Sequence, residues 1–116
     1  MSRLMSVSLT EAAVRERRKT VTRRLGWTFL VPGERLTLCR KVMGRRNGEP
    51  LVRICDVAVV SVRRERLDAI TAEDVAAEGF DLSPDGFVEF FASSMRCRPS
   101  DEVTRISWRY VDEVSA

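Results

Sequence analysis

The chain reads as an α+β domain in which a strongly bent sheet carries short helices at one end or side. Three observations lead there. Apolar and polar residues alternate at period two from Arg35 onward and again from Val103 to Val111. Between those stretches, Thr71 and Ser83 each stand where a helix N-cap belongs. The length of 116 residues suits one core of ordinary size, so a single domain over 1–116 is expected.

The first element in order is a helix over about 9–18. Ser8-Leu9-Thr10-Glu11 has the form of a capping box, in which Ser8 accepts from an early N–H and Glu11 reaches back. Leu9, Ala12 and Ala13 make an apolar stripe against the charged side of Glu16 and Arg17. The helix hands over to Arg18-Lys19-Thr20-Val21-Thr22-Arg23-Arg24, which sets four cations around two hydroxyls and reads as an anion site. Thr20, Val21 and Thr22 favour extended backbone, so Lys19, Val21 and Arg23 face one way and Thr20, Thr22 and Arg24 the other. Lysine and threonine then meet one ligand only where the segment bends or closes over a pocket.

Pro32-Gly33-Glu34 makes a turn, and the strand that follows over 35–42 puts Leu36, Leu38 and Val42 on one face. Gly44 to Pro50, with its Asn47-Gly48 pair, is the loop of a hairpin. The return strand, about 51–62, is rich in Val and Ile and long enough to curl around a barrel. Thr71-Ala72-Glu73-Asp74 opens a short helix that Gly79 closes. Ser83-Pro84 opens another, running to about Met95, with Phe87, Phe90 and Phe91 toward the core. In the last strand Ile106, Trp108 and Tyr110 share the core face, opposite Arg105, Ser107 and Arg109.

Composition narrows the chemistry. The chain has no histidine, which excludes Ser-His-Asp catalysis, His-ligated zinc and histidine-type ribonuclease chemistry. Cys39, Cys55 and Cys97 are odd in number and far apart, which points to free thiols and a reducing compartment, with no metal expected. No apolar run reaches the roughly 20 residues of a membrane span, and the start is too short and polar for a signal peptide. A cytoplasmic monomer without cofactor or membrane association is expected. The net charge of +3 hides an asymmetry: residues 1–64 hold 15 basic against 5 acidic residues, and residues 65–116 hold 5 against 12. Such halves interdigitate into a mixed surface with one basic groove.

Arg18-Lys19-Thr20-Val21-Thr22-x-Arg24, then Gly33-Glu34 before a strand, Glu73-Asp74 and Glu78-Gly79-Phe80 on a short helix, and the closing Thr104-Arg105-Ile106 together resemble the ASCH family. That family belongs to the PUA-like superfamily, and arginine-rich members of this kind are familiar from actinobacteria and their phages. The resemblance implies a PUA-like bent β-barrel of about five to six strands with flanking short helices, and a cleft between N-terminal helix and barrel wall. A nucleoside, nucleotide or single-stranded RNA would occupy that cleft. Some small bacterial members are amidohydrolases that deacylate 4-acetylcytidine with a lysine, a threonine and a glutamate, which fall here on Lys19, Thr22 and Glu78. Other members are described as RNA-binding modules or nucleases. The sequence departs from the pattern at Arg17, where the family has a helix-ending glycine, and at Glu34, where it often has aspartate.

On that resemblance a metal-independent deacylase would use Thr22, or a water it orients, as nucleophile, Lys19 as base and Glu78 for the leaving amine. Arg24, or backbone N–H groups near the helix end, would stabilise the oxyanion. Arg18, Arg23, Arg24, Arg45 and Arg46 are the candidate phosphate contacts, and Trp27, beside the basic run, is the candidate stacking residue. A non-catalytic nucleic-acid-binding module and a protein-interaction adaptor stand beside the hydrolase reading.

Overall fold

In the computed structural model, which describes residues 2–111, five strands form one sheet that curls into a half-barrel. The chain opens with β1 (Arg3–Ser6), continues through a 3₁₀ turn at Ser8–Thr10 into α1 (Glu11–Arg15), and returns as β2 (Val21–Arg24). The hairpin β3 (Arg35–Cys39) and β4 (Arg53–Arg66) follows, then α2 (Ala72–Ala77), α3 (Pro84–Met95) and β5 (Glu102–Tyr110). The strand order is β1-β3-β4-β5-β2, with β1 parallel to β3 and the other pairs antiparallel. The fold is of the expected α+β class, a bent half-barrel with flanking short helices.

β4 makes the curl possible. At 14 residues it pairs β3 with its first half and β5 with most of its length, and the register slips in each pairing, at Leu38/Cys39 and at Val59/Ser61. Such irregularities bend a strand and increase its twist. Side chains on the concave face (Met5, Leu36, Leu38, Val57, Val59, Ile106 and Trp108) fill the barrel with Val7, Val14 and Leu30. A second core lies under α2 and α3, where Val75, Phe87, Val88 and Phe91 pack on Leu67, Ile70 and Val103.

The helix starts follow the capping residues. Thr71 accepts from the Asp74 N–H at 3.2 Å and Ser83 from the Gly86 N–H at 3.0 Å, with Pro84 at the first helical position. Ser83→Ala is expected to lower stability by about 1 kcal/mol in urea denaturation, with the slope of the transition unchanged. The capping box expected at Ser8-Glu11 does not form. Residues 8–10 make a 3₁₀ turn without a side-chain cap, and Glu11 instead bonds Arg15 and Arg40. The helix expected over 9–18 is only Glu11–Arg15, because Arg17 takes a left-handed φ of 60° and stops it. Two strand ends also differ from the pattern: the first hairpin strand stops at Cys39, and β4 runs on to Arg66, where Arg63 and Arg66 find acidic partners in Glu65 and Asp68. β1 carries no period-two signal long enough to read, and takes its strand geometry from pairing with β3.

Candidate functional site

The two edge strands, β1 and β2, face each other across the open seam of the barrel. Arg24 bridges them by donating from Nη2 to the carbonyl of Ser6 at 2.7 Å. A cavity of about 250 Å³ lies at this seam, walled by residues 6–10 on one side, by Lys19 and Thr22 to Arg24 on the other, and by α3 and the end of α2.

Backbone geometry places Lys19 there. At the end of α1, Arg18 N–H donates to the Ala13 carbonyl at 2.8 Å and Arg17 N–H to the Val14 carbonyl at 2.9 Å. This is a Schellman ending, with Arg17 in the left-handed position that glycine fills most cheaply. Beyond it, Thr20 N–H bonds the Ala77 carbonyl at 2.8 Å, and the Lys19 carbonyl accepts from Trp108 Nε1 at 3.0 Å and Tyr110 Oη at 2.6 Å. The expected core face of β5 therefore has a second task, because its indole N–H and phenol O–H pin the backbone of the lysine.

Glu78 arrives by the same device. α2 also ends in a Schellman motif, with Gly79 at φ 91° and its N–H on the Ala76 carbonyl, and Phe80 N–H on that of Val75. Glu78 thereby sits at the end of α2, 3% exposed, opposite Lys19 at 2%. Lys19 Nζ donates to Glu78 Oε1 at 3.0 Å and to the Glu78 backbone carbonyl at 2.7 Å. Burial pushes the lysine below its ordinary pKa; the Glu78 carboxylate opposes that, and Arg24 and Arg23 add to it.

Thr22 is 3% exposed, and its hydroxyl accepts from Arg24 Nε at 3.3 Å. The alternation expected in this segment holds: Lys19 and Arg23 both meet Glu78, while Thr22 and Arg24 meet each other. Arg23 Nη1 donates to Glu78 Oε2 at 3.3 Å, and Nη2 to Glu65 at 2.7 Å and Asp74 at 2.6 Å. Burial works against the Arg23 charge, but these three carboxylates outweigh it and hold the guanidinium above its ordinary pKa. Arg105 completes the cluster with two bonds to Asp74, which with the Arg23 bond keep that carboxyl well below its usual range.

Lys19, Thr22, Glu78, Arg23 and Arg24 thus line one cavity. Arg18, Trp27, Arg45 and Arg46 do not join them. Arg18 pairs with Glu16 at 2.6 Å, Arg45 Nε bonds the Val42 carbonyl, and the Arg46 N–H bonds Glu49 in the β3–β4 loop. Trp27 packs on the barrel core with its ring 5.5 Å from Phe29. Phe90, expected in the core, is instead 37% exposed and lines the cavity with Phe80, because its position on α3 lies at the edge of the stripe that Phe87 and Phe91 bury. The sequence reading missed this aromatic wall. Phe80 follows Glu78-Gly79 directly in the sequence, and its ring centre lies 6.0 Å from Lys19 Nζ.

No family model matches the sequence, and neither does any curated protein. Among solved structures, protein EF3133 from Enterococcus faecalis V583, of family DUF984, superposes with a TM-score of 0.69 at 15% identity, covering 100% of this chain and 84% of its own. The ASCH domain from Lactobacillus crispatus JV V101 gives 0.61 at 15% identity, covering 94% and 79%. A mutant of the ASCH protein of Zymomonas mobilis gives 0.60 at 12%, covering 91% and 66%. At such identities the likeness is one of fold, and the fold is ASCH-like.

Proposed function

We propose that this ASCH-like fold binds a nucleoside-type ligand in the seam cavity and hydrolyses the amide of an acylated cytidine-type base, without metal or cofactor. The observation that carries the reading is the buried Lys19–Glu78 pair opening onto the same cavity as the Thr22 hydroxyl. A lysine held below its ordinary pKa, whose side chain is 3% exposed, is a base in waiting.

The reaction balances with the groups at hand. Neutral Lys19 Nζ takes the proton of Thr22, or of a water it orients, as the oxygen attacks the amide carbonyl carbon. The carbonyl electrons move onto oxygen, where Arg24 meets the developing charge. Arg24 suits this task because its hydrogen bonds go to the neutral acceptors Ser6 and Thr22 rather than to a carboxylate. The C–N bond then breaks, and the proton collected by Lys19 passes through Glu78 to the leaving amine. Where Thr22 is the nucleophile, a water hydrolyses the ester it leaves; the sum in either case is amide plus water giving amine plus carboxylic acid.

The charge balance favours a neutral amide over a phosphate in this cavity. Arg23, one of its two lining arginines, is already shared among three carboxylates. The aromatic wall of Phe80 and Phe90 offers a flat base or an acyl group an apolar face. A second reading, single-stranded RNA bound without turnover, rests on the exposed arginines of the surface, Arg18, Arg45 and Arg46 among them.

Mass spectrometry of a panel of acylated cytidines separates the two. The hydrolase reading expects turnover that differs little between low and high salt. No turnover by folded protein, with RNA affinity falling steeply as salt rises, would sink it and leave the binding module.

A further inference from the structure

Glu78 is held by two different cations on its two oxygens, Oε1 by Lys19 at 3.0 Å and Oε2 by Arg23 at 3.3 Å. Arg23 has a side chain only 1% exposed, and its own surroundings are unequal. Nη2 carries the two short bonds to Glu65 and Asp74, Nη1 carries the bond to Glu78, and Nε is buried with no hydrogen-bond partner among the described residues. A buried guanidinium that leaves one N–H unmet is oriented by its other contacts, and an orphaned donor of this kind calls for an explanation.

We propose that Arg23 is a positioning residue for the cavity: gripped from behind by Asp74 and Glu65, it engages one oxygen of Glu78 and so limits how fully Glu78 pairs with Lys19. The inference rests on the hydrolase reading above for its catalytic meaning, though the clamp itself is read from geometry. Asp74 is in turn fixed by the two bonds from Arg105, and Glu65 is bonded by Arg63, so the grip has an outer ring.

The consequence falls on Lys19. The charged and titratable groups around it come from three sides. β2 presents Arg23 and Arg24, the end of α2 presents Glu78, with Asp74 behind Arg23, and β4 and β5 contribute Glu65 and Arg105 through the same cluster, with the Tyr110 hydroxyl on the Lys19 carbonyl. From α3 the cavity receives only apolar side chains, and from residues 8–10 only hydroxyls and Leu9. Leaving out Arg63, whose side chain is 59% exposed and screened by solvent, Arg23, Arg24 and Arg105 balance Glu65, Asp74 and Glu78 in charge, so a neutral Lys19 completes the balance and a protonated one exceeds it by one. Removing Arg23 tips that balance and gives Lys19 both oxygens of Glu78, which favours the protonated amine. Removing the charge of Asp74 does the reverse, since Arg23 then leans harder on Glu78 and its own charge is less neutralised.

The two lysines of the chain, Lys19 and Lys41, make this directly readable by NMR of lysine labelled at Cε, with the exposed Lys41 as internal reference. In Arg23→Met the titration midpoint of Lys19 is expected to rise while that of Lys41 stays, and in Asp74→Asn it is expected to fall. Hydrolysis by Arg23→Met should drop about tenfold in kcat/KM near neutral pH and recover as pH rises, a profile that a merely loosened fold does not give. If Arg23→Met does not fold, Asp74→Asn carries the test alone. A midpoint for Lys19 that stays put in the folded variant overturns the clamp. Midpoints that shift as stated in a protein that hydrolyses no acylated cytidine would keep the clamp and remove the hydrolase reading, whereas turnover with unmoved midpoints would remove the clamp alone.

Discussion

Lys19→Met is expected to lower kcat/KM for an acylated cytidine by about a thousandfold, the middle of what a positioned general base contributes. Methionine keeps the length and apolar stem of lysine, so the cavity stays filled, and Glu78 retains its bond from Arg23. The same variant carries a second, independent signature in stability. Burial depresses the Lys19 pKa in the folded protein, so between that value and the ordinary lysine range the unfolded chain holds a proton that the folded chain does not. Stability rises with pH wherever the unfolded state binds more protons. The wild-type protein is therefore expected to gain stability through Lys19 as pH rises from the lysine's lowered folded-state value to its ordinary pKa, while below the folded value this contribution is flat. Lys19→Met lacks that rise. Cys39, Cys55, Cys97 and Tyr110, which burial keeps protonated to higher pH, titrate in both proteins, so the difference between their two stability curves isolates Lys19. Parallel curves for the two proteins in urea denaturation across this pH range would show that Lys19 is an ordinary lysine and would leave the proposed hydrolysis without its base.

Much of this site is legible in the sequence alone, and the reasons are local. The alternation of Lys19, Val21 and Arg23 against Thr20, Thr22 and Arg24 needs only the geometry of extended backbone, and both sets meet the partners that alternation allows. The starts of α2 and α3 were equally readable, since an N-cap is a contact between residues three apart. Glu78 came into view through the order of motifs in the ASCH resemblance, because nothing in its own neighbourhood says that it faces Lys19 across 59 positions of chain. What stayed hidden depends on distant partners. Glu11 looked like half of a capping box, but Arg40, from the end of β3, claims it instead. Arg23 looked like a phosphate contact because its three carboxylates come from β4 and α2. Trp27 looked like a stacking platform from its place beside the basic run, yet a left-handed turn at φ 62° sends its ring onto the barrel core.

Arg17 shows how a departure from pattern is accommodated. A left-handed position that glycine fills freely is occupied by an arginine at φ 60°, at a cost of about 1 kcal/mol. The helix still ends where it must, because the Schellman bonds from Arg17 and Arg18 form all the same. The aim of Lys19 is then secured from the other side, by Thr20 on Ala77 and by Trp108 and Tyr110 on the Lys19 carbonyl.

Gly79 admits no such substitution, and Gly79→Ala is expected to cost about 3 kcal/mol and most of the activity. Two costs add there. The residue has a φ of 91°, beyond the usual left-handed region, which a side chain adopts only with strain of about 1–2 kcal/mol. A methyl group built on it would also lie 2.8 Å from the Cβ of Ala13 and 3.5 Å from Cγ2 of Thr10. Ala13 is on α1, buried at 2%, and its carbonyl receives the Arg18 and Lys19 N–H groups, so pushing it away moves the turn that aims the lysine. Glu78, the neighbour of Gly79 in the chain, moves with the other side of the same contact. Overpacking at a fixed backbone contact costs about 1–3 kcal/mol in general, which with the strain brings the total to the expected figure. The contact is testable as a pair. Ala13→Gly alone should cost about 1 kcal/mol as a glycine inside a helix, yet in the double variant it should return part of the loss caused by Gly79→Ala, because the colliding methyl is gone. The φ strain would remain, so recovery stays incomplete. Strict additivity of the two changes in urea denaturation, or a Gly79→Ala protein as stable and active as wild type, would mean that α1 and α2 do not clasp the two halves of the site through this contact.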